Sequence, residues 1–278
     1  MAEEKIVEHI SGGCMQGVFS CGAQVRLTEV GLPGWATRKT VAVSVGATSG
    51  TYVAAGQIRQ GWNFPLRHMR EMIKKKWGLI PYFDQGSLER AYREGDDKLD
   101  IPALRASKQK VWMALSDPET SGTHFACIND EEDPVATLLK GTQMAISWPR
   151  TQPGKRYLDG GHACQPPYDP PHMEGATQLW FISHRPMGYR IGLLETWLYK
   201  LLGCLYGLHD PQVGKLLYYM PARSNACQEA FERLPKLHVI APKKVLPIGW
   251  RHTDLGDIKA VIQMGRQAVD TYLLENKL

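Results

Sequence analysis

The segment Val41-Ala42-Val43-Ser44-Val45-Gly46-Ala47 constrains this chain more than any other. A β-branched apolar run that stops at a serine and passes into Gly46, Ala47, Thr48, Ser49 and Gly50 reads as a buried strand turning sharply into a small-residue helix. A hydroxyl at the tip of such a turn is free to attack, and the N-terminus of the following helix points at any negative charge that develops. An ordinary turn serine in a βα unit carries the same local pattern, because Ser-x-Gly is short and common. The rest of the chain has to separate the two.

Upstream, Ile6 to Ile10 is a short strand, interrupted chemically by Glu8 and His9, that runs into Ser11-Gly12-Gly13-Cys14-Met15-Gln16-Gly17. Glycines let successive backbone N–H groups converge on one point, which suits a phosphate or an oxyanion. The dinucleotide pattern is absent because the glycines do not fall as GxGxxG, and the P-loop is absent because Val18 follows Gly17 where lysine is required. A tight connection with no ligand is the plain alternative. Val18 to Val30 predicts a helix closed by Gly31-Leu32-Pro33-Gly34, and the small residues from Gly46 to Gly56 predict another. The first 56 residues therefore spell βαβα, with the glycine loop and the serine turn at one edge of a parallel sheet, where α/β ligand sites form.

The stretch Gly61 to Trp77 mixes Trp62, Phe64, Leu66, Met69, Met72 and Ile73 with arginines and lysines, which predicts a basic amphipathic helix suited to peripheral contact with an anionic membrane, or simply a helix with a solvated basic face. Residues 78–100 read as loop and short helix, Lys108 to Ser116 and Thr123 to Ile128 as strands, and Pro134 to Ser147 as a helix. A turn at Pro149 to Gly154 leads to Lys155-Arg156-Tyr157-Leu158-Asp159-Gly160-Gly161, where an acid ends a short strand before two glycines. A carboxylate that must reach another residue's hydroxyl needs such a closely approaching backbone; a plain Asp-Gly turn looks the same. Gln178 to Ser183 and Leu237 to Ile240 complete the strands, with helix over Leu193 to Leu234 and Ile258 to Leu274. No repeat, low-complexity tract or linker divides the chain, so a single domain over 1–278 is expected, with both motifs in 5–180 and 181–278 completing it.

At 43% hydrophobic and 22% charged the composition is that of a globular protein, and a formal charge of +5 does not call for a nucleic-acid partner. The six cysteines form no CxxC pair or ligand cluster, so no metal, no cofactor and no disulfide framework is expected. The acidic first residues lack an apolar core of signal-peptide length and no eighteen apolar residues run together, so a cytoplasmic protein is expected.

The glycine loop at 12–17, the serine turn at 42–46 and Asp-Gly-Gly at 159–161, in that order, with SGGCMQGVFSCG, SVGATSGTYVAAGQ, YLDGG, LHVIAP and GRQAVDTY, make the chain resemble the patatin-like phospholipase family. The resemblance covers nearly the whole sequence. It implies a three-layer α/β/α fold with a mostly parallel central sheet and a lipid acyl hydrolase acting through a Ser–Asp dyad. Ser44 would be nucleophile, Asp159 base, and Gly12, Gly13 and Cys14 the oxyanion hole, with Gly17, Ala42, Gly46, Gly160 and Gly161 supporting the turns. Phospholipids, lysophospholipids or glycerides would be the substrates. Two positions depart from the family pattern: Ala42 stands where the elbow GxSxG begins with glycine, and Gln16 where the loop usually has arginine. A protein of this fold that binds lipid or membrane without catalysis is the reading from another class. A Ser-His-Asp hydrolase using His162 fits poorly, since only about forty residues precede Ser44 and that fold builds several strands before its elbow.

Overall fold

The computed structural model describes residues 5–76, 80–145, 147–148 and 156–278. β1 (Ile6–Ile10) leads through a 3₁₀ turn (Cys14–Gly17) into α1 (Val18–Val30), and β2 (Lys39–Ala42) leads into α2 (Val45–Ala54). There follow α3 (Ile58–Phe64), β3 (Ile73–Lys76), β4 (Ile80–Asp84), α4 (Gln85–Arg93), α5 (Ile101–Ala106), β5 (Lys110–Ser116), β6 (Thr123–Cys127) and α6 (Pro134–Gly141). The remainder is β7 (Ser147–Trp148), β8 (Leu158–Asp159), α7 (Pro170–Met173), β9 (Gln178–Ile182), α8 (Leu193–Gly207), α9 (Pro211–Glu232), β10 (Leu237–Ile240) and α10 (Leu255–Asn276). The turn expected at 149–154 lies outside the described residues.

The main sheet runs β10-β9-β1-β2-β5-β6, parallel from β10 to β5 and antiparallel at β6, while β3, β4 and β7 form a separate small sheet. β1 sits at its centre with every residue buried, so successive side chains enter opposite helical layers. Glu8 faces α1, where its Oε2 accepts from Gln24, and His9 faces α9, its ring edge-on to Phe231 with centroids 5.1 Å apart. Trp180 of β9 touches Tyr272 of α10, whereas its neighbour Phe181 stacks on Phe231 of α9. One layer thus holds α1, α2 and α10, the other α9, and the architecture is three-layer α/β/α with a mostly parallel sheet.

The two polar residues of β1 are accounted for by their partners. Arg38 Nε donates to Glu8 Oε2 at 2.9 Å and Thr40 Oγ1 donates to the same oxygen at 2.9 Å, all within the core. Arg38 also donates to the carbonyl of Trp35 and lies 4.6 Å over its ring, so a charge pair buried from water is held on several sides. His9 has its pKa lowered to about 3, chiefly by burial, and is a neutral ring packed on aromatics.

Two sequence expectations fail. The stretch from Gly61 is no continuous amphipathic helix: Pro65 withdraws a backbone donor, α3 ends at Phe64 and gives way to a π-helical turn (Pro65–Met69), and Ile73–Lys76 pairs with β4 as a strand. Phe64, Leu66, Met69 and Met72 are buried, so the apolar side of 61–73 serves the core rather than a membrane. The helix from Pro134 stops at Gly141 rather than Ser147, its end closed by Thr142 Oγ1 donating back to the Leu138 carbonyl, and Ser147–Trp148 is a strand beside β4.

Candidate active site

The site forms where β1 and β2 end side by side. Ile10 is in register with Ala42, and one residue beyond β2 the Val43 amide donates to the Ile10 carbonyl at 3.1 Å, so the glycine loop and the serine turn leave the sheet together. Ser44 has φ 54° and ψ −128°, a conformation that costs a non-glycine residue on the order of 1–3 kcal/mol and persists only when its surroundings impose it. They do: Gly46 N–H donates to the Val43 carbonyl at 2.9 Å, and the amides of Ala47 and Thr48 donate to the Ser44 carbonyl. Ala42 is fully buried in register with Ile10 and Met113, and its methyl is accommodated while the turn keeps its shape.

The loop after β1 closes over this turn. A Cβ at Gly12 would lie 2.9 Å from Ser44 Cβ and 3.1 Å from the Val43 carbonyl oxygen, so only glycine allows the backbone this near the serine. Gly13 and Cys14 both have positive φ, 114° and 50°, and among the described residues the N–H groups of Gly12, Gly13 and Cys14 donate to no protein acceptor. The loop is pinned from the far side, where Met15 N–H and Gln16 Nε2 donate to the carbonyls of Trp250 and Ile248. Gln16 is therefore an anchor to the segment before α10. The Cys14 thiol is pushed up to about 12 by burial and stays protonated.

Asp159 reaches the serine through β5. β2 occupies one edge of β5 only as far as Met113, β6 takes the other edge, and β8 fills the vacated positions with Leu115 opposite Asp159 and Ser116 opposite Leu158. The acid is therefore placed just past the point where β2 turns into Ser44. Its carbonyl accepts from Ser116 Oγ at 2.7 Å and its amide donates to the Gln143 carbonyl at 2.9 Å. A Cβ at Gly160 would lie 2.2 Å from the Ala114 carbonyl oxygen, so the chain must be glycine there to stay against β5. The carboxylate accepts from the Gly161 amide at 2.8 Å. Burial raises its pKa to about 6, against the stabilising pull of the Ser44 hydroxyl and that amide. Gly17 is buried against Val45, at the start of α2, a contact that ties the loop to the helix behind the serine.

Neither nitrogen of His162 bonds a partner among the described residues, and burial lowers its pKa to about 4, so it is a neutral ring outside any Ser-His-Asp arrangement. The site does contain a histidine that the sequence did not single out. His184, two residues past β9, donates its amide to Ser11 Oγ at 2.9 Å, and its Nδ1 lies 2.9 Å from the same oxygen. Its Nε2 end abuts Gly13, where a Cβ would be 2.7 Å away. The available signal was positional: polar Ser183-His184 ends a strand that neighbours β1 in a parallel sheet. A small polar depression, with a volume of only about 10 Å³, is bounded here by Ser11, His184, Gln165 and the α9 residues Ser224, Asn225 and Gln228, and Gln165 adjoins the Asp159 turn through Gly161. Neither this depression nor a larger groove lined by Trp62, Arg67, His68, Asp97 and Lys259 has Ser44 or Asp159 in its lining.

Fold and site together define an α/β protein with a strained serine turn, a glycine loop against it whose Gly12, Gly13 and Cys14 amides have no acceptor among the described residues, and a buried carboxyl with a raised pKa. No family model and no curated protein matches the sequence. Among solved structures the chain is similar to VipD from Legionella pneumophila, with 10% sequence identity and a TM-score of 0.51 over 98% of this chain and 67% of that one, a likeness of fold.

Proposed function

We propose that this chain is a carboxylic ester hydrolase that cleaves fatty-acyl esters of lipids through a Ser44–Asp159 dyad. The observation that carries the proposal is the pairing of a serine held at φ 54° with a buried carboxyl poised near neutrality, pKa about 6. Ser44 Oγ attacks the ester carbonyl as its proton passes to Asp159. The oxyanion that forms is met by the amides of Gly12, Gly13 and Cys14 and by the N-terminus of α2, donors already in place before the charge appears. Collapse of this intermediate expels the alcohol, which takes the proton from Asp159 and leaves an acyl-serine. Asp159 then draws a proton from water, the water attacks, and the fatty acid departs with Ser44 restored. The lipid substrate class comes from the resemblance in sequence to patatin-like phospholipases.

A serine-directed fluorophosphonate tests the proposal. The protein should be labelled, Ser44→Ala should not, and Asp159→Asn should lose at least about a thousandfold in turnover of a short-chain ester. A folded protein that takes no label would be a lipid binder without catalysis, and an Asp159→Asn variant with full turnover would remove the dyad.

A further inference from the structure

Cys164 and Cys227 are far apart in the chain, yet the fold brings their sulfurs to 3.3 Å. Both are free thiols, Cys164 buried on the turn that follows Asp159 and Cys227 half-buried on α9. A disulfide needs about 2.05 Å between sulfurs, so closing this pair asks the two side chains to approach by only about 1.2 Å.

The two sulfurs have unlike surroundings. Cys164 Sγ faces the carbonyls of Pro166 and Tyr168 at 3.3 and 3.6 Å, acceptors that suit a thiol and repel a thiolate. The neighbouring Cys227 sulfur and burial hold its pKa well above the ordinary range. Cys227 moves the other way, lowered by donation from the Cys164 thiol and by the charge of Arg223, one turn earlier on α9. Arg223 can serve in this way because its buried Nη1 has no hydrogen-bond partner among the described residues. A partly exposed sulfur disposed to ionise, beside a buried one that keeps its proton, is the division of labour between an attacking and a resolving cysteine.

We propose that Cys164 and Cys227 are a redox-active dithiol, oxidised by hydrogen peroxide to a disulfide that ties the turn after Asp159 to α9. The Cys227 thiolate attacks one oxygen of the peroxide, a sulfur–oxygen bond forms as the oxygen–oxygen bond breaks, and the other oxygen leaves as water with the proton that Cys227 had shed. The Cys164 sulfur then attacks the Cys227 sulfur. The sulfur–oxygen bond breaks, and the departing hydroxide takes the Cys164 proton to give a second water. The two sulfurs lose two electrons and the peroxide gains them; a thiol reductant reverses the bond.

Position gives the bond a mechanical consequence. The Cys164 amide donates to the Gly160 carbonyl at 2.9 Å, so this residue closes the turn that begins at Asp159. Leu158 and Ala163, on either side of that turn, pack against Val213, Leu216 and Leu217 of α9. Oxidation therefore adds a covalent tie to a segment whose strand meets β5 at two positions only.

The test treats the reduced full chain with hydrogen peroxide, alkylates it and digests it with trypsin. Cleavage after Arg190 and Arg223 puts Cys164, Cys204 and Cys227 on separate peptides. Expected is a Cys164–Cys227 cross-linked peptide that dithiothreitol removes. Cys164→Ser should leave Cys227 as a sulfenic acid captured by dimedone, and Cys227→Ser should leave Cys164 unmodified. Oxidation should slow hydrogen exchange over residues 158–164 by at least about tenfold while α1 is unchanged. Failure of the cross-linked peptide to form in the folded chain, linkage of either cysteine to the exposed Cys204 or to a second copy, or dimedone on Cys164 would each overturn the dithiol. Unchanged exchange would overturn the tie. The peptide map of the unsubstituted chain decides without any variant, so a serine substitution that fails to fold leaves the test standing. One further measurement rests on the hydrolase reading above: ester turnover should survive to higher urea in the oxidised form than in the reduced form. Turnover absent from both forms would refute that reading alone, since the cross-link is read by mass.

Discussion

At Asp159 one number governs two observables. With a folded-state pKa of about 6 against an ordinary value of 3.8, the folded protein holds this proton more tightly than the unfolded chain does. As the base of the proposed dyad the group must be ionised, so kcat/KM should climb with pH through about 6 and level off above it. The sign for stability is the reverse. A raised carboxyl contributes no penalty below the unfolded value, and as pH rises from about 4 through 6 the buried charge progressively destabilises the fold. The move from 3.8 to about 6 corresponds to about 3 kcal/mol at neutrality. Asp159→Asn, which keeps the acceptor for the Gly161 amide, should therefore abolish turnover while raising Tm at pH 7, with the gain vanishing below about pH 4. Thermal unfolding of the two proteins across pH checks this, and a Tm lowered at pH 7 by the substitution would contradict it. His162 and His184, both held neutral by burial, should add no inflection of their own to the activity profile between pH 5 and 8.

Among the elements, β1 carries the most unusual chemistry. Glu8→Ala would leave Arg38 charged, fully buried and deprived of its carboxylate, and should cost about 3–5 kcal/mol in denaturant unfolding. Glu8→Gln, which retains an acceptor for Thr40 and Arg38, should cost less. This pair also shows where reading the sequence stops. β1, α1, the strand ending at Ala42 and the small-residue helix after it were legible because their patterns are local: period, caps and turn glycines. Glu8 and Arg38 are thirty residues apart, and nothing local links them, so the acid could be noticed but not explained. The stretch from Gly61 was misread for a related reason. Its helical period is real up to Pro65, but its basic residues suggested a free surface while tertiary packing took Phe64, Met69 and Met72 inward. The apolar run in α8 was read as helix, and only the fold revealed that its leucines face outward. Ser44 and Asp159 could be picked out from their glycines, whereas His184 enters the site because β9 lies next to β1, a neighbour relation that sequence order conceals.

For the molecule as a whole, the separation of two sheets and two helical layers leaves the pieces of the site unequally secured. The serine turn is embedded between β1, β2 and α2, all deeply buried, whereas Asp159 belongs to a strand of two residues that meets β5 at two positions only. In urea, fluorophosphonate labelling and ester turnover should disappear at a lower concentration than the far-UV signal of the helices, and coincident curves would show that the acid is as firmly held as the core. Such an order of failure has a meaning for the protein in use. Mild stress would silence it by opening one short ladder while leaving the fold able to close again, so that inactivation is recoverable and precedes the irreversible loss that follows exposure of the core.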